Sequence, residues 1–341
     1  MSLATEQALL EALAGEPSSS VLWHALADCR QEMGDPAGEL LQLHLRVRAE
    51  WNSPGREAWQ MRMAELLADD VTFGLPTFTN SQGMQFVLVP PGRFLMGSPV
   101  TEQGRSPHEQ QHVVEITRAF WMGVHHVTVS QFRAFTQASR YRTSAEARGD
   151  QATWHSPGIV QEGDHPVVCV SWEDAGVFCN WLTDRDGRQE YQLTTEAEWE
   201  YACRAGTPAS WPFHFGTSLS SHQANFHGDA PYGSGRKGPY LGRTSPVGAY
   251  RPNGFGLHEM HGNVWQWCED WYSGTYYLES PELDPHGPDE ASLSKYASMR
   301  AYRGGQWNAG ANVCRAAYRY GLDPADSNPY LGFRLAISAG E

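Results

Sequence analysis

The first seventy residues alternate apolar and polar positions with a helical period. Leu9, Leu10 and Leu13 share one stripe, closed by Gly15 and Pro17. Val21, Leu22, Leu26, Cys29 and Met33 make the next, with Ser18 to Ser20 as cap candidates and Gly34 as a terminating glycine. Leu40, Leu41, Leu43 and Leu45 follow Pro36, and Trp59, Met61, Met63, Leu66 and Leu67 mark a last helix before Asp69-Asp70. The pattern predicts a small all-α unit over residues 1–72. Its expected job is packing, or docking another protein, rather than catalysis.

After a Thr/Pro/Asn connector at residues 72–81 the period changes. Residues 84–89, 93–98, 113–116 and 120–122 read as strands, the first two separated by a Pro90-Pro91-Gly92 turn. Residues 129–138 fit a helix with Phe132 and Phe135 inward. Ser171-Trp172 opens another, with Ala175, Val177, Phe178, Trp181 and Leu182 on its apolar face. Tyr191 to Leu193 ends a strand, and Thr195 with Glu198 forms a capping box for a third helical run. In the last forty residues neither period survives. Gly304-Gly305 and Gly332 bracket a stretch of short strands and turns rich in Tyr, Asn, Ser and Gly. Tyrosine among small polar residues offers large contact area at low entropic cost, the composition of a binding surface.

Length, at 341 residues, favours two domains. Thirteen Trp among 34 Gly and 21 Pro point to a loop-rich fold pinned by aromatic anchors. A formal net charge of -14 argues against nucleic acid and against an anionic membrane, since no basic stripe is present to meet phosphates. Residues 1–15 lack a basic leader and no apolar run is long enough to insert in a membrane, so a cytoplasmic location is expected. The six cysteines (Cys29, Cys169, Cys179, Cys203, Cys268 and Cys314) contain no CxxC pair and sit among apolar neighbours, as buried free thiols do.

Several ordered motifs carry a family likeness. They are Met96-Gly97-Ser98, His165-Pro166-Val167, Ser171-Trp172-Glu173-Asp174-Ala175 and Leu193-Thr194-Thr195-Glu196-Ala197-Glu198-Trp199-Glu200. Asn253-Gly254-Phe255-Gly256-Leu257, Gly262-Asn263-Val264-Trp265-Gln266-Trp267, Arg303-Gly304-Gly305 and Gly332-Phe333-Arg334 complete the set. From about residue 83 onward the chain resembles the formylglycine-generating-enzyme (sulfatase-modifying factor) family. The resemblance implies an α+β fold: an irregular C-type-lectin-like domain over 83–341, with a small antiparallel sheet and two helices, behind the all-α unit.

The same resemblance implies where chemistry would lie. Oxidase members use two cysteines in the Arg-Gly-Gly segment to hold Cu(I), a soft ion that wants thiolates. Here a gapless match puts Ala309 at the first and Cys314 at the second, and a shifted match leaves neither. One thiolate cannot hold linear Cu(I), so no redox cofactor is expected. The iron-bearing sulfoxide synthases of the superfamily need three histidines from a helical bundle, and the N-terminal unit has only His24 and His44. His258 and His261 are not spaced as a zinc-protease pair, and the adjacent His125 and His126 point apart on a strand. Family members commonly carry structural Ca2+, and the matching side chains here are Glu259, Asn263 and Gln266, with one carboxylate among them. A first family calcium site would use Asn225 and an acid that residues 236–240 do not supply.

A third branch of the fold is non-catalytic: the variable proteins of diversity-generating retroelements, whose C-terminal segment is a displayed face diversified at asparagine codons. The layout here is similar. The expected function is therefore ligand binding on a C-type-lectin-like scaffold, by a protein or other macromolecule held at the C-terminal face. The candidate contact residues are Trp307, Asn308, Ala309, Gly310, Asn312, Val313, Tyr318, Tyr320, Gly321, Leu322, Asp326, Ser327, Asn328 and Tyr330. The alternative is a divergent oxidase of the formylglycine-generating type, acting on a cysteine of a protein substrate through Cys314.

Overall fold

Four helices occupy the N-terminal region: α1 (Leu3–Gly15), α2 (Ser20–Glu32), α3 (Pro36–Ala49) and α4 (Arg56–Ala68). The computed structural model describes residues 2–187, 189–289 and 298–338. Ser2, Ser19 and Asp35 cap the first three helices through their side chains, and Pro36 opens α3 where a missing N–H costs nothing. One stripe departs in part from its sequence reading. Leu26 and Cys29 are buried and Leu22 half-buried as expected, but Val21 is 74% exposed, and Trp23, Ala27 and Arg30 complete the inner face of α2. The reason is Arg30. Its guanidinium donates to the Phe73 and Gly74 carbonyls at 2.5 and 2.6 Å and pairs with Glu6 at 2.7 Å, so a charged residue occupies an inward position.

The chain then runs through β1 (Thr77–Thr79), β2 (Gln85–Val89), β3 (Gly92–Met96), β4 (His112–Ile116) and β5 (Phe120–Gly123). Helices α5 (Val129–Ser139), α6 (Ser144–Arg148) and α7 (Trp172–Asp186) follow, then β6 (Tyr191–Leu193) and α8 (Glu196–Arg204). The remaining strands are β7 (Trp265–Trp271), β8 (Arg300–Arg303), β9 (Tyr320–Leu322), β10 (Leu331–Phe333) and β11 (Leu335–Ser338). Two main sheets result: an antiparallel sheet in the order β1-β2-β5-β11-β6, and a second in the order β10-β7-β8-β9. β3 and β4 pair separately.

The architecture is α+β, with small sheets and long structured loops, as expected. Two features depart from the expected frame. β10 runs parallel to β7, so the second sheet is mixed. Among the described residues four helices lie beyond residue 120, where the pattern of residues predicts three and the family resemblance implies two. Helix α6 is five residues long, too short to show a period, and exists through its Thr143–Glu146 capping box. Aromatic rings pack between α5, α7 and β10: Phe132 stacks on Phe178, and Phe333 meets Phe178 edge-on. The helical unit docks on this body through buried polar contacts. His44 Nε2 lies 3.0 Å from the Tyr201 hydroxyl and 3.2 Å from the Pro91 carbonyl, and Arg48 pairs with Glu115 at 3.1 Å. None of the helices described is long and apolar enough to cross a membrane.

Candidate functional site

The C-terminal segment is held from below by charge. The capping box of Thr195 and Glu198 starts α8 and orients Glu196 and Glu200, one turn apart, toward the second sheet. Arg319 meets Glu196 through two bonds of 2.5 and 2.9 Å, and Arg303 reaches both Glu196 and Glu200. Burial alone would raise the Glu196 carboxyl; Arg319 and Arg303 outweigh it and hold it below its ordinary value. Arg315 forms a second buried cluster with Glu102 and Glu109. Three arginines of the segment are thus pinned inward; of the residues between them Asn308 and Asn312 are exposed, and the others are half-buried or buried.

The Gly-Gly turn sets where the segment goes. Gly304 and Gly305 have φ of +102° and +85°, and a Cβ on Gly305 would sit 2.5 Å from Cys314 Sγ. That close approach folds residues 306–314 back over the turn. Trp307 is buried, with its indole N–H donating to the Pro329 carbonyl and its ring 5.2 Å from Tyr330. It ties the start of the segment to its end. Asn308 is exposed and accepts from the Tyr240 hydroxyl at 2.6 Å, while Tyr240 stacks on His227 at 4.2 Å. Ala309 and Gly310 are half-buried, and the Ala309 carbonyl accepts from the His227 N–H. Asn312 is exposed and Val313 half-buried, in a 3-10 turn over Ala311–Cys314.

A second group lies across β7, β8 and β9. The Trp265 ring is 4.9 Å from Tyr302 and 5.6 Å from Tyr318, and Tyr320 lies 6.1 Å from Tyr302 and 5.9 Å from Tyr272. This ladder climbs from buried Trp265 to Tyr320, which is 53% exposed. Gly321 is buried because a side chain there would strike Tyr272 at 2.7 Å. Leu322, Ser327, Asn328 and Tyr330 are half-buried, and Asp326 is exposed. Asn328 is partly structural: its carbonyl accepts from Cys169 N–H, and its side chain caps the Tyr330 N–H.

The candidate positions therefore divide. Asn308, Asn312, Tyr320 and Asp326 reach solvent, Trp307 and Gly321 build the frame, and the rest are intermediate. Tyr240, His227, Tyr272 and Tyr302 join the face although none was singled out in the sequence. Tyr240 is 68 residues from Asn308, and nothing local marks it.

No thiol pair accompanies this face. Cys314 is fully buried, and burial pushes its thiol up to about 12. All six cysteines are free and buried. The side-chain oxygens of the calcium trio are each engaged by hydrogen-bond donors. Asn263 Oδ1 accepts from Asn225 and from the Ser245 N–H, at 3.1 and 2.9 Å. Gln266 Oε1 accepts from Trp199 and from the Arg334 guanidinium, at 2.9 and 3.0 Å. Glu259 accepts from the Gly248 and Tyr250 N–H groups. A hard cation needs several oxygens converging at about 2.4 Å, and here a guanidinium already stands against one of them. Glu259, Asn263 and Gln266 as arranged do not fit a calcium cage. Asn225 Oδ1, of the first family site, is buried without a hydrogen-bond partner among the described residues.

Comparison with known proteins agrees with the motifs. The family model described as "Sulfatase-modifying factor enzyme 1-like domain" matches residues 73–339. The formylglycine-generating enzyme of Streptomyces coelicolor is 34% identical over 298 residues, 74% of this chain and 89% of that protein. The protein of Mus musculus named inactive C-alpha-formylglycine-generating enzyme 2 is 31% identical, covering 76% of this chain and 88% of its own length. Among solved structures, PvdO from Pseudomonas aeruginosa matches with a TM-score of 0.63 at 28% identity, over 77% of this chain and 97% of that one. Variable protein 1 of Treponema denticola matches with 0.56 at 24% identity, over 77% and 98%, a likeness of fold.

Proposed function

Because this chain belongs to the sulfatase-modifying factor enzyme 1-like domain family, we propose that it uses the family scaffold for recognition and lacks the family's oxidase chemistry. The observation that carries the reading is Cys314. It is the sole cysteine of the C-terminal segment and is sealed in the core; a gapless match to the family puts Ala309 at the partner position, and a shifted match leaves neither thiol. A buried thiol held near 12 offers no thiolate at neutral pH, and a Cu(I) site needs two.

What remains is the outward face. Asn308 with Tyr240 and Tyr330 forms one end, and Tyr320 with Tyr272 and Tyr302 the other. Stiff aromatic side chains, buttressed by buried Arg–Glu clusters, present area at little entropic cost. The ligand class is a protein or other macromolecule. The retroelement form of the proposal adds that this face is diversified. It is supported by the exposure of Asn308 and Asn312, and a reverse-transcriptase gene beside a near-copy of the segment's coding sequence would carry it.

The names of the curated relatives favour the oxidase alternative, so the test is enzymatic. The reduced protein is loaded with Cu(I) and given a cysteine-bearing peptide while O2 is followed. No peptide-dependent uptake is expected. Uptake that disappears in Cys314→Ser would overturn the proposal.

A further inference from the structure

His125 leaves β5 two residues after its end, and His258 and Glu259 lie on the loop leading to β7. These three side chains, remote in sequence, each place one ligating atom within 4.8 Å of the others. The two imidazole rings are 4.7 Å apart, centroid to centroid, and His125 Nδ1 lies 4.0 Å from Glu259 Oε2.

Each group is prepared for a cation in its own way. His258 Nδ1 lies 2.8 Å from the Tyr250 carbonyl, which can only accept. That contact places the proton on Nδ1 and leaves the Nε2 lone pair free, the second-shell arrangement that fixes a metal-binding tautomer. The Glu259 carboxylate is buried, and the N–H groups of Gly248 and Tyr250 fix it at 3.0 and 3.3 Å. Both donors are neutral backbone groups. Among the described residues His125 Nδ1 is buried with no hydrogen-bond partner, which costs free energy. Glu259 also sits at φ +49°, a left-handed conformation that a side chain of its kind rarely adopts. Gly248 makes room: a Cβ there would press on the His125 ring at 3.3 Å.

We propose that His125, His258 and Glu259 form a binding site for one divalent transition-metal ion of the zinc class. Two imidazole nitrogens and one carboxylate suit such an ion and are a poor set for calcium, which takes oxygens. The site is therefore distinct from the calcium set, sharing only Glu259 with it. Ligands about 2.1 Å from a tetrahedral ion stand about 3.4 Å from one another. The present spacing closes with a rotation of the half-exposed His125. Three protein ligands leave a fourth position open to water or to a donor from a bound partner. The ion would also clamp the end of β5 to the loop containing Gly248 and Tyr250, so its binding stabilises the fold.

The test uses the full chain, stripped with a chelator and titrated calorimetrically with Zn2+, then with Co2+ as a spectroscopic reporter. One equivalent is expected to bind, with a higher Tm and the visible absorption of a four- or five-coordinate Co2+. His125→Ala removes a half-exposed ring whose Nδ1 makes no hydrogen bond among the described residues; it and His258→Ala are each expected to weaken binding about 100-fold, with an unchanged Tm of the metal-free protein as the check that the fold is kept. A hundredfold excess of Ca2+ should leave Zn2+ in place. Absence of saturable binding, binding unchanged in both histidine variants, or displacement by Ca2+ would each overturn the proposal. The oxygen-uptake assay is independent of all three.

Discussion

A cysteine reacts as its thiolate, and at Cys314 burial holds the thiol up at about 12. Cys169 is held at about the same value, again chiefly by burial. The native protein is therefore expected to give almost no fast reaction with a disulfide reagent at pH 8, and six equivalents in guanidinium. A rapidly titrating thiol that Cys314→Ser removes would show that the site opens and would weaken the recognition reading. At this scale the sequence was informative where chemistry is carried by residue identity. That the segment holds one cysteine, with Ala309 at the first family position in a gapless match, is read without coordinates. Orientation was not: Trp307 and Tyr320 sit among similar neighbours, yet one is core and the other surface. That difference is decided by the Pro329 carbonyl and the Tyr272 ring, which only the fold brings near.

At the scale of elements, α8 is the part on which the face depends. Its capping box could be read from Thr195 and Glu198 because both partners lie within one turn. Its service to the face could not, since Glu200 meets Arg303 across 103 positions of chain. Glu200 also accepts from Arg204 and from the Gly97 N–H. Burial raises its carboxyl and the two arginines more than offset this, leaving it below the ordinary value. Glu200→Gln keeps the shape and removes the charge, leaving two buried guanidinium groups short of a counter-charge. The expected loss is about 3 kcal/mol, read from urea unfolding, with unchanged m-value. A loss under about 1 kcal/mol would mean that Glu196 alone balances the cluster. The parallel pairing of β10 with β7 was hidden for the same physical reason: strand period tells which face is buried and says nothing of the neighbour.

For the whole molecule, the question is how firmly the helical unit is joined to the scaffold, and His44 makes it measurable. Its ring is buried at the junction, edge-on to Phe73 and Phe255, with Nε2 between the Tyr201 hydroxyl and the Pro91 carbonyl. Burial lowers its pKa to about 4, against a smaller opposing effect of the Pro91 carbonyl. In the unfolded chain a histidine titrates near 6.5. Above that value both states are neutral and the full stability is present. As pH falls from 6.5 toward 4 the unfolded chain gains a proton that the buried ring refuses, so stability is lost across that window. The difference in affinity amounts to about 3 kcal/mol for this one group. His261, also buried and lowered to about 4, adds a similar slope, so the comparison has to be made between variants. In His44→Phe the fall in unfolding free energy between pH 6.5 and 4 is expected to shrink by about that amount, while Tyr201 keeps its bond to the Pro90 carbonyl. Equal slopes in the two proteins would mean that the junction opens before the ring is protonated, so that the helices separate from the scaffold at a lower cost than the contacts of Arg30, His44 and Arg48 imply.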